Sequence, residues 1–216
     1  MSEHRTGPVN TAGAIATTAG AIAMCTLALA LGGCGSSSSK SANSKNSAST
    51  APLKLHTPTG APLATTIRLS SPVVTSNHEI PARYTCDGPD TPLPLTWSNI
   101  PPHTAELALF VIAGEVIRGK LQLSYVTWAV TGLSPSSSGV TTGTLPAHTI
   151  VGINDEGKAA YTVCPPKGPS WGYAAILYAL PKPLGAKPGG LGRTLRVTAA
   201  GLASAGGLLT MRYKKR

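Results

Sequence analysis

Two cysteines constrain this chain more than any other feature. Cys86 lies in PARYTCDGPD and Cys164 in YTVCPPKGPSWGY, each among the Pro, Gly and Asp residues that form turns. If the two thiols pair, a turn early in the fold and a loop late in it must meet. Whether they can pair depends on the compartment, because disulfides persist outside the reducing cytoplasm.

The N-terminus supplies a compartment. Met1–Asn10 is polar and carries Glu3, His4 and Arg5, and an uncharged apolar run follows from Ala12 to Leu31. The run closes on Leu31-Gly32-Gly33-Cys34, a branched apolar residue, two small residues and then cysteine. That pattern reads as a bacterial lipobox. Small residues let a signal peptidase approach the backbone, and the Cys34 thiol takes a diacylglycerol before cleavage. Residues 1–33 are therefore read as a lipoprotein signal peptide. A membrane-spanning anchor is the competing reading, since about 20 apolar residues cross a bilayer. The lipid anchor is preferred because Cys34 ends the run and small residues precede it. The expectation is an extracytoplasmic protein held at the cell membrane by a lipid on Cys34.

Counting then bears on the thiols. Cys25 leaves with the signal peptide and Cys34 is acylated, so Cys86 and Cys164 alone remain. In an oxidising compartment that count favours a disulfide between them. Two unpaired buried thiols also fit the sequence, and it leaves both readings open.

Residues 34–62 are mostly Ser, Ala, Asn, Thr, Lys and Pro, with few large apolar groups, and read as a flexible tether. Residues 63–216 suit one domain with a sizeable core. The formal net charge is +10, which would favour nucleic acid in another setting. An exported lipoprotein meets anionic lipids and wall polymers instead, so no nucleic-acid partner is expected.

Strand signals dominate the folded part. ATTIRLSSPVV, LPLTWSNIPP, AELALFVIAG (105–114), LSYVTWAVTGL (123–133), HTIVGIND, KAAYTV, GYAAILYAL (172–180) and GLLTMRYKKR all read as strands. In LSYVTWAVTGL the alternation sets Val126, Trp128 and Val130 against Tyr125, Thr127 and Ala129. RTLRVTAAGLASA reads as a helix with Leu195, Ala199 and Leu202 on one side, weakened by Gly201. Seven or eight strands and about one helix point to a mainly β domain of the sandwich type.

Patterns of common enzymes are absent from the sequence. It contains no G-x-S-x-G, no H-E-x-x-H and no Gly-rich phosphate loop after a strand. Its five histidines, at 4, 56, 78, 103 and 148, are scattered, and none stands at zinc-site spacing from a cysteine. Asp87 with Asp90, and Asp155 with Glu156, could in principle do acid–base work. Beside Gly and Pro, acidic residues are far more often turn formers. No catalytic residue, metal or cofactor is expected.

Three stretches, IPARYTCDGPDTPLPLTWSNIPPHTAELALFVI, YVTWAV and GINDEGKAAYTVCPPKGPSWGYAAILYAL, resemble the phosphatidylethanolamine-binding protein family, in its bacterial Raf-kinase-inhibitor-like branch. The likeness covers roughly residues 80–180. It implies a β-sandwich of two antiparallel sheets with one or two short helices. It also implies a small pocket for an anionic headgroup and a role in binding or inhibition, not catalysis. Pro165, Pro166 and Tyr173 match the family's pocket wall and are the expected ligand-binding residues.

The departures concern charge. The family's acidic loop after the L-A-L strand is replaced by AGEVIRGK. Its H-W pair reads Thr127-Trp128, and its H-R-Y triplet reads Trp171-Gly172-Tyr173. Neither Thr nor Trp gives phosphate the charged hydrogen bonds of a histidine. The expected function is therefore a non-enzymatic binding protein with a degenerate pocket for a small lipid-derived or amphipathic ligand. The alternative is an interaction or inhibitor module for an envelope protein, with a vestigial pocket.

Overall fold

The computed structural model describes residues 53–117, 120–142 and 144–216. Cys34, the signal-peptide reading of residues 1–33 and the first part of the tether lie outside the described residues. Among these, eight strands run in chain order: β1 (Arg68–Ser70), β2 (Leu95–Ser98), β3 (Glu106–Ile117), β4 (Lys120–Leu133), β5 (Gly139–Val140), β6 (Ile150–Val151), β7 (Trp171–Leu180) and β8 (Ala205–Tyr213). One α-helix, α1 (Gly192–Leu202), joins β7 to β8, and a single 3₁₀ turn spans Ala82–Tyr84. The small sheet has the order β1-β2-β5 and the large one β6-β4-β3-β7-β8. Every ladder between them is antiparallel. This is the expected two-sheet antiparallel sandwich.

Side-chain period explains the layering. All ten residues of β7 are buried, so the strand needs cover on both faces. Trp171, Tyr173, Ala175, Leu177 and Ala179 enter the core shared with the small sheet. Ala174, Ile176, Tyr178 and Leu180 enter a second core on the opposite face. There α1 supplies Ala199 and Ala200, with Leu195 and Leu202 packed against them. Gly201 faces out and disturbs no packing.

The expected alternation of β4 is interrupted. Val111 pairs with Trp128, but Ile112 pairs with Val126, which leaves Thr127 as an extra residue in a bulge. Trp128 and Val130 face the inter-sheet core as expected, whereas Val126 packs on the helix side. A second shift follows Ala113, and it brings Gly114 so close to β4 that a Cβ there would fall on the Gln122 carbonyl oxygen. Only glycine lets the two strands close at that point.

Other expectations shift at their edges. KAAYTV is not a strand: its residues are irregular, because side chains and turns rather than a ladder satisfy them. β1 and β6 are much shorter than their apolar stretches. The folded part also begins before residue 63. Leu55 is buried with Leu63 in the helix-side core, and Leu63 N–H donates to the Leu55 carbonyl at 3.0 Å, so residues 55–62, expected in the tether, belong with the fold.

The end of β8 is tied to the first cysteine turn. The Tyr213 hydroxyl and the Arg216 N–H (2.9 Å) both donate to the Asp87 carboxylate. These donors, Tyr213 foremost, hold the exposed Asp87 carboxyl below its usual range. A lowered carboxyl pKa stabilises the fold above the unfolded-state value of 3.8, and that contribution disappears as pH falls through the lower folded-state value. Asp87→Asn should therefore melt below wild type near pH 6, and the gap should close as pH approaches about 2. Thermal melts of both proteins across this range check the convergence.

Candidate ligand-binding site

The two cysteine stretches meet, and the disulfide is one of several links between them. Cys86 and Cys164 are bonded, with α-carbons 5.2 Å apart, inside the range a disulfide requires. Beside the bond, Cys86 N–H donates to the Val163 carbonyl at 3.1 Å. Asp90 has a positive φ of 51°, which turns its carboxylate back toward the second stretch. One oxygen accepts from the Thr162 hydroxyl and the other from the Val163 N–H, both at 2.9 Å. The Tyr161 hydroxyl donates to the Tyr84 carbonyl at 2.9 Å, and its ring stands edge-on to Trp128 at 5.4 Å. Burial, and then the nearby Asp90 charge, raise the Tyr161 pKa well above its ordinary value, so that donor is permanent.

This scaffold closes one side of a cavity of about 200 Å³. Pro165, Pro166 and Cys164 form the loop wall, and Trp171 and Tyr173 come from the first residues of β7. Tyr125, Val126 and Thr127 come from β4, and Asp155 and Glu156 from the turn after β6. All three residues expected to bind ligand, Pro165, Pro166 and Tyr173, thus lie on one cavity. The bulge turns Thr127 onto its surface, where the hydroxyl donates to the Val111 carbonyl at 3.1 Å.

The electrostatics match the lost histidines. Among the described residues no Lys, Arg or His lines the cavity. Asp155 accepts from Val126 N–H at 2.7 Å and pairs with Arg193 at 2.9 Å, which assigns it to holding the turn. Asp87 and Asp90 are likewise occupied as acceptors. Glu156 has only a loose exposed partner, Lys158 at 3.7 Å. Such exposed pairs are worth about 0–1 kcal/mol. Burial, then Tyr213 and the carboxylates of Asp90 and Glu156, push the Tyr173 pKa up, so its hydroxyl stays protonated.

Sequence reasoning did not single out Tyr125, Asp155 or Glu156 as pocket residues. Tyr125 stands two residues before Thr127, but its place at the cavity depends on the bulge in β4 and on the meeting of β4 with β7. Tyr125 is 49% exposed, and its ring lies 5.7 Å from Trp171 at an interplanar angle of 57°.

A small pocket at one end of a two-sheet sandwich, walled by a disulfide-tethered loop, defines a binding protein. The sequence profile described as "Phosphatidylethanolamine-binding protein" matches residues 70–214, and the chain belongs to that family. It is 35% identical over 168 residues to "Putative lipoprotein LppC" of Mycobacterium tuberculosis, covering 77% of this chain and 81% of that protein. A UPF0098 protein of Methanothermobacter thermautotrophicus is 34% identical over 116 residues, 51% of this chain and 74% of its own. Among solved structures, the phosphatidylethanolamine-binding protein homolog CT736 of Chlamydia trachomatis superposes with a TM-score of 0.60 at 28% identity, covering 71% of this chain and all of that one. YbcL of Escherichia coli shares the fold, with a TM-score of 0.63 at 20% identity over 70% of this chain and all of its own.

The disulfide closes a loop of sequence separation 78. In the chain-entropy account such a loop contributes about 4 kcal/mol, so reduction or Cys164→Ser should lower the melting temperature by roughly 10 °C. Melting with and without reductant, with thiols counted in parallel, measures it.

Proposed function

We propose that the chain is a non-enzymatic, lipid-anchored binding protein on the outer side of the cell membrane, whose pocket takes a small lipid-derived or amphipathic ligand and no longer selects an anion. The observation that carries this reading is the cavity lining, which among the described residues is aromatic and apolar and has two carboxylates but no cation. A free phosphate entering it would lose its hydration and gain no charged donor. The size of the cavity suits a headgroup or the end of a chain rather than a whole lipid. The carboxylates of Asp87, Asp90 and Asp155 serve as structural acceptors, which supports binding over acid–base chemistry.

The anchored location rests on Leu31-Gly32-Gly33-Cys34 and on the likeness to LppC, whose name calls it a lipoprotein. Among the described residues no helix is long and apolar enough to cross a membrane. The lipid on Cys34 is the membrane partner in this reading.

Full-length protein extracted in a neutral detergent is the material for the test. Inorganic phosphate should leave the melting temperature unchanged, and a short-chain monoacylglycerol should raise it in a saturable way. A phosphate affinity in the low micromolar range overturns the loss of anion selection. Cys34→Ser should move the protein from the membrane fraction to the soluble one, and retention in the membrane overturns the lipid anchor.

A further inference from the structure

We propose that the pocket is a seat for an alkylammonium group, with choline-type quaternary ammonium as the ligand chemistry it fits best. This rests on the reading of the cavity as a ligand pocket that has given up anion binding, and it goes further by assigning the sign of the charge that is recognised.

Three aromatic rings and one loosely held carboxylate meet at the cavity. Tyr125 and Trp171 are tilted by 57° at 5.7 Å, so they form two adjoining walls rather than a stack. Tyr173 adds a third aromatic surface from the same strand as Trp171. An aromatic face attracts a cation through its quadrupole, and an ammonium boxed by several rings is the usual functional form of that attraction. Glu156 adds a negative charge, shared only loosely with Lys158 through an exposed contact at 3.7 Å.

Two nearby cations are engaged with other groups. Arg193 is bound to the Asp155 carboxylate by two hydrogen bonds, at 2.9 and 3.3 Å. Lys215 donates to the Cys164 sulfur at 3.2 Å, is not a lining residue, and its charge also acts on Asp87. The raised pKa of Tyr173, owed to burial first and then to neighbours that include Asp90 and Glu156, agrees with a negative potential at the pocket floor. A quaternary ammonium suits the site better than a primary amine. It is weakly hydrated and needs no hydrogen-bond acceptor, and the rings offer none beyond two hydroxyls.

The test uses full-length protein in a maltoside detergent, with isothermal titration calorimetry of four probes. These are choline chloride, its neutral carbon isostere 3,3-dimethylbutan-1-ol, inorganic phosphate and dihexanoylphosphatidylcholine. Choline should bind on the order of tenfold more tightly than the isostere. Tyr125→Leu, at an exposed position, and Glu156→Gln should each weaken choline several-fold while leaving the isostere within about twofold. Melting temperatures confirm that both variants are folded. Tighter binding of the short-chain lipid than of choline assigns the ammonium to a lipid headgroup, and the reverse assigns it to a free solute. Equal affinity for choline and the isostere overturns the charge assignment and leaves the non-anionic pocket standing. Phosphate binding more tightly than choline overturns both. Failure of choline to saturate by about 50 mM overturns the alkylammonium seat, since even a millimolar site would fill at that level.

Discussion

Burial of β7 on both faces is the constraint from which the other layers follow. Its large side chains, Trp171, Tyr173, Ile176, Leu177, Tyr178 and Leu180, point alternately into two cores. Full burial of one such side chain is worth about 1.5–3 kcal/mol, so six of them are comparable to the whole net stability of an ordinary domain before conformational entropy is subtracted. No surface pair competes: Arg193–Asp155, exposed at the arginine, belongs to a class worth about 0–1 kcal/mol. A strand this apolar cannot be left at an open face. The small sheet covers one side, and α1 with Leu55 and Leu63 covers the other. The pocket inherits its rigidity from the same strand, because Trp171 and Tyr173 are the first and third residues of β7.

The opposite wall of the pocket is held by different physics. The chain from Tyr161 to Pro166 belongs to no ladder, yet Tyr161, Thr162, Val163 and Pro165 are buried. Its backbone groups need partners there: the Val163 N–H donates to Asp90, the Val163 carbonyl accepts from Cys86 N–H, and the Thr162 N–H donates to the Thr127 carbonyl, while the Tyr161 hydroxyl adds a side-chain link to the Tyr84 carbonyl. The disulfide sits among these links and keeps the two segments close in the unfolded ensemble as well as in the fold. The position of Pro165 therefore depends on residues about 80 positions earlier in the chain.

Features carried by composition were legible in the sequence. β7, β3 and β4 are long apolar or β-branched runs, α1 shows its stripe of Leu195, Ala199 and Leu202, and the count of thiols favours a disulfide while leaving unpaired thiols open. Features that depend on one residue of register were not. A bulge at Thr127 leaves no mark on the local pattern, yet it sends Val126 to the helix side and turns Thr127 toward the pocket. KAAYTV reads as a strand because it ends in Tyr161, Thr162 and Val163, which are buried, and burial alone does not reveal whether a ladder or a set of side chains satisfies the backbone. Leu55 was hidden by its polar neighbours, because a single leucine cannot show in composition that a core awaits it. Of the pocket, the residues matching a family motif were visible, and Tyr125 and Glu156 were not, since their role depends on which elements meet at the end of the sheet.

The altered residues occupy positions where chemistry can change without disturbing the frame. Thr127 lies in a bulge, so its side chain answers to the pocket rather than to the cross-strand packing that fixes Trp128 and Val130. Trp171 opens β7, where its ring packs on Tyr125 at the rim. The segment that stands in for the family's acidic loop now extends β3 to Ile117, paired with Lys120 at the start of β4. A hairpin of paired strands satisfies its own backbone and needs no bound ion or ligand to order it. Meanwhile the links that place the loop wall, from Cys86, Tyr84 and Asp90, involve none of the replaced residues. Shape and charge are thus set by separate groups of residues in this fold. That separation lets the lining of a pocket change while its walls are kept.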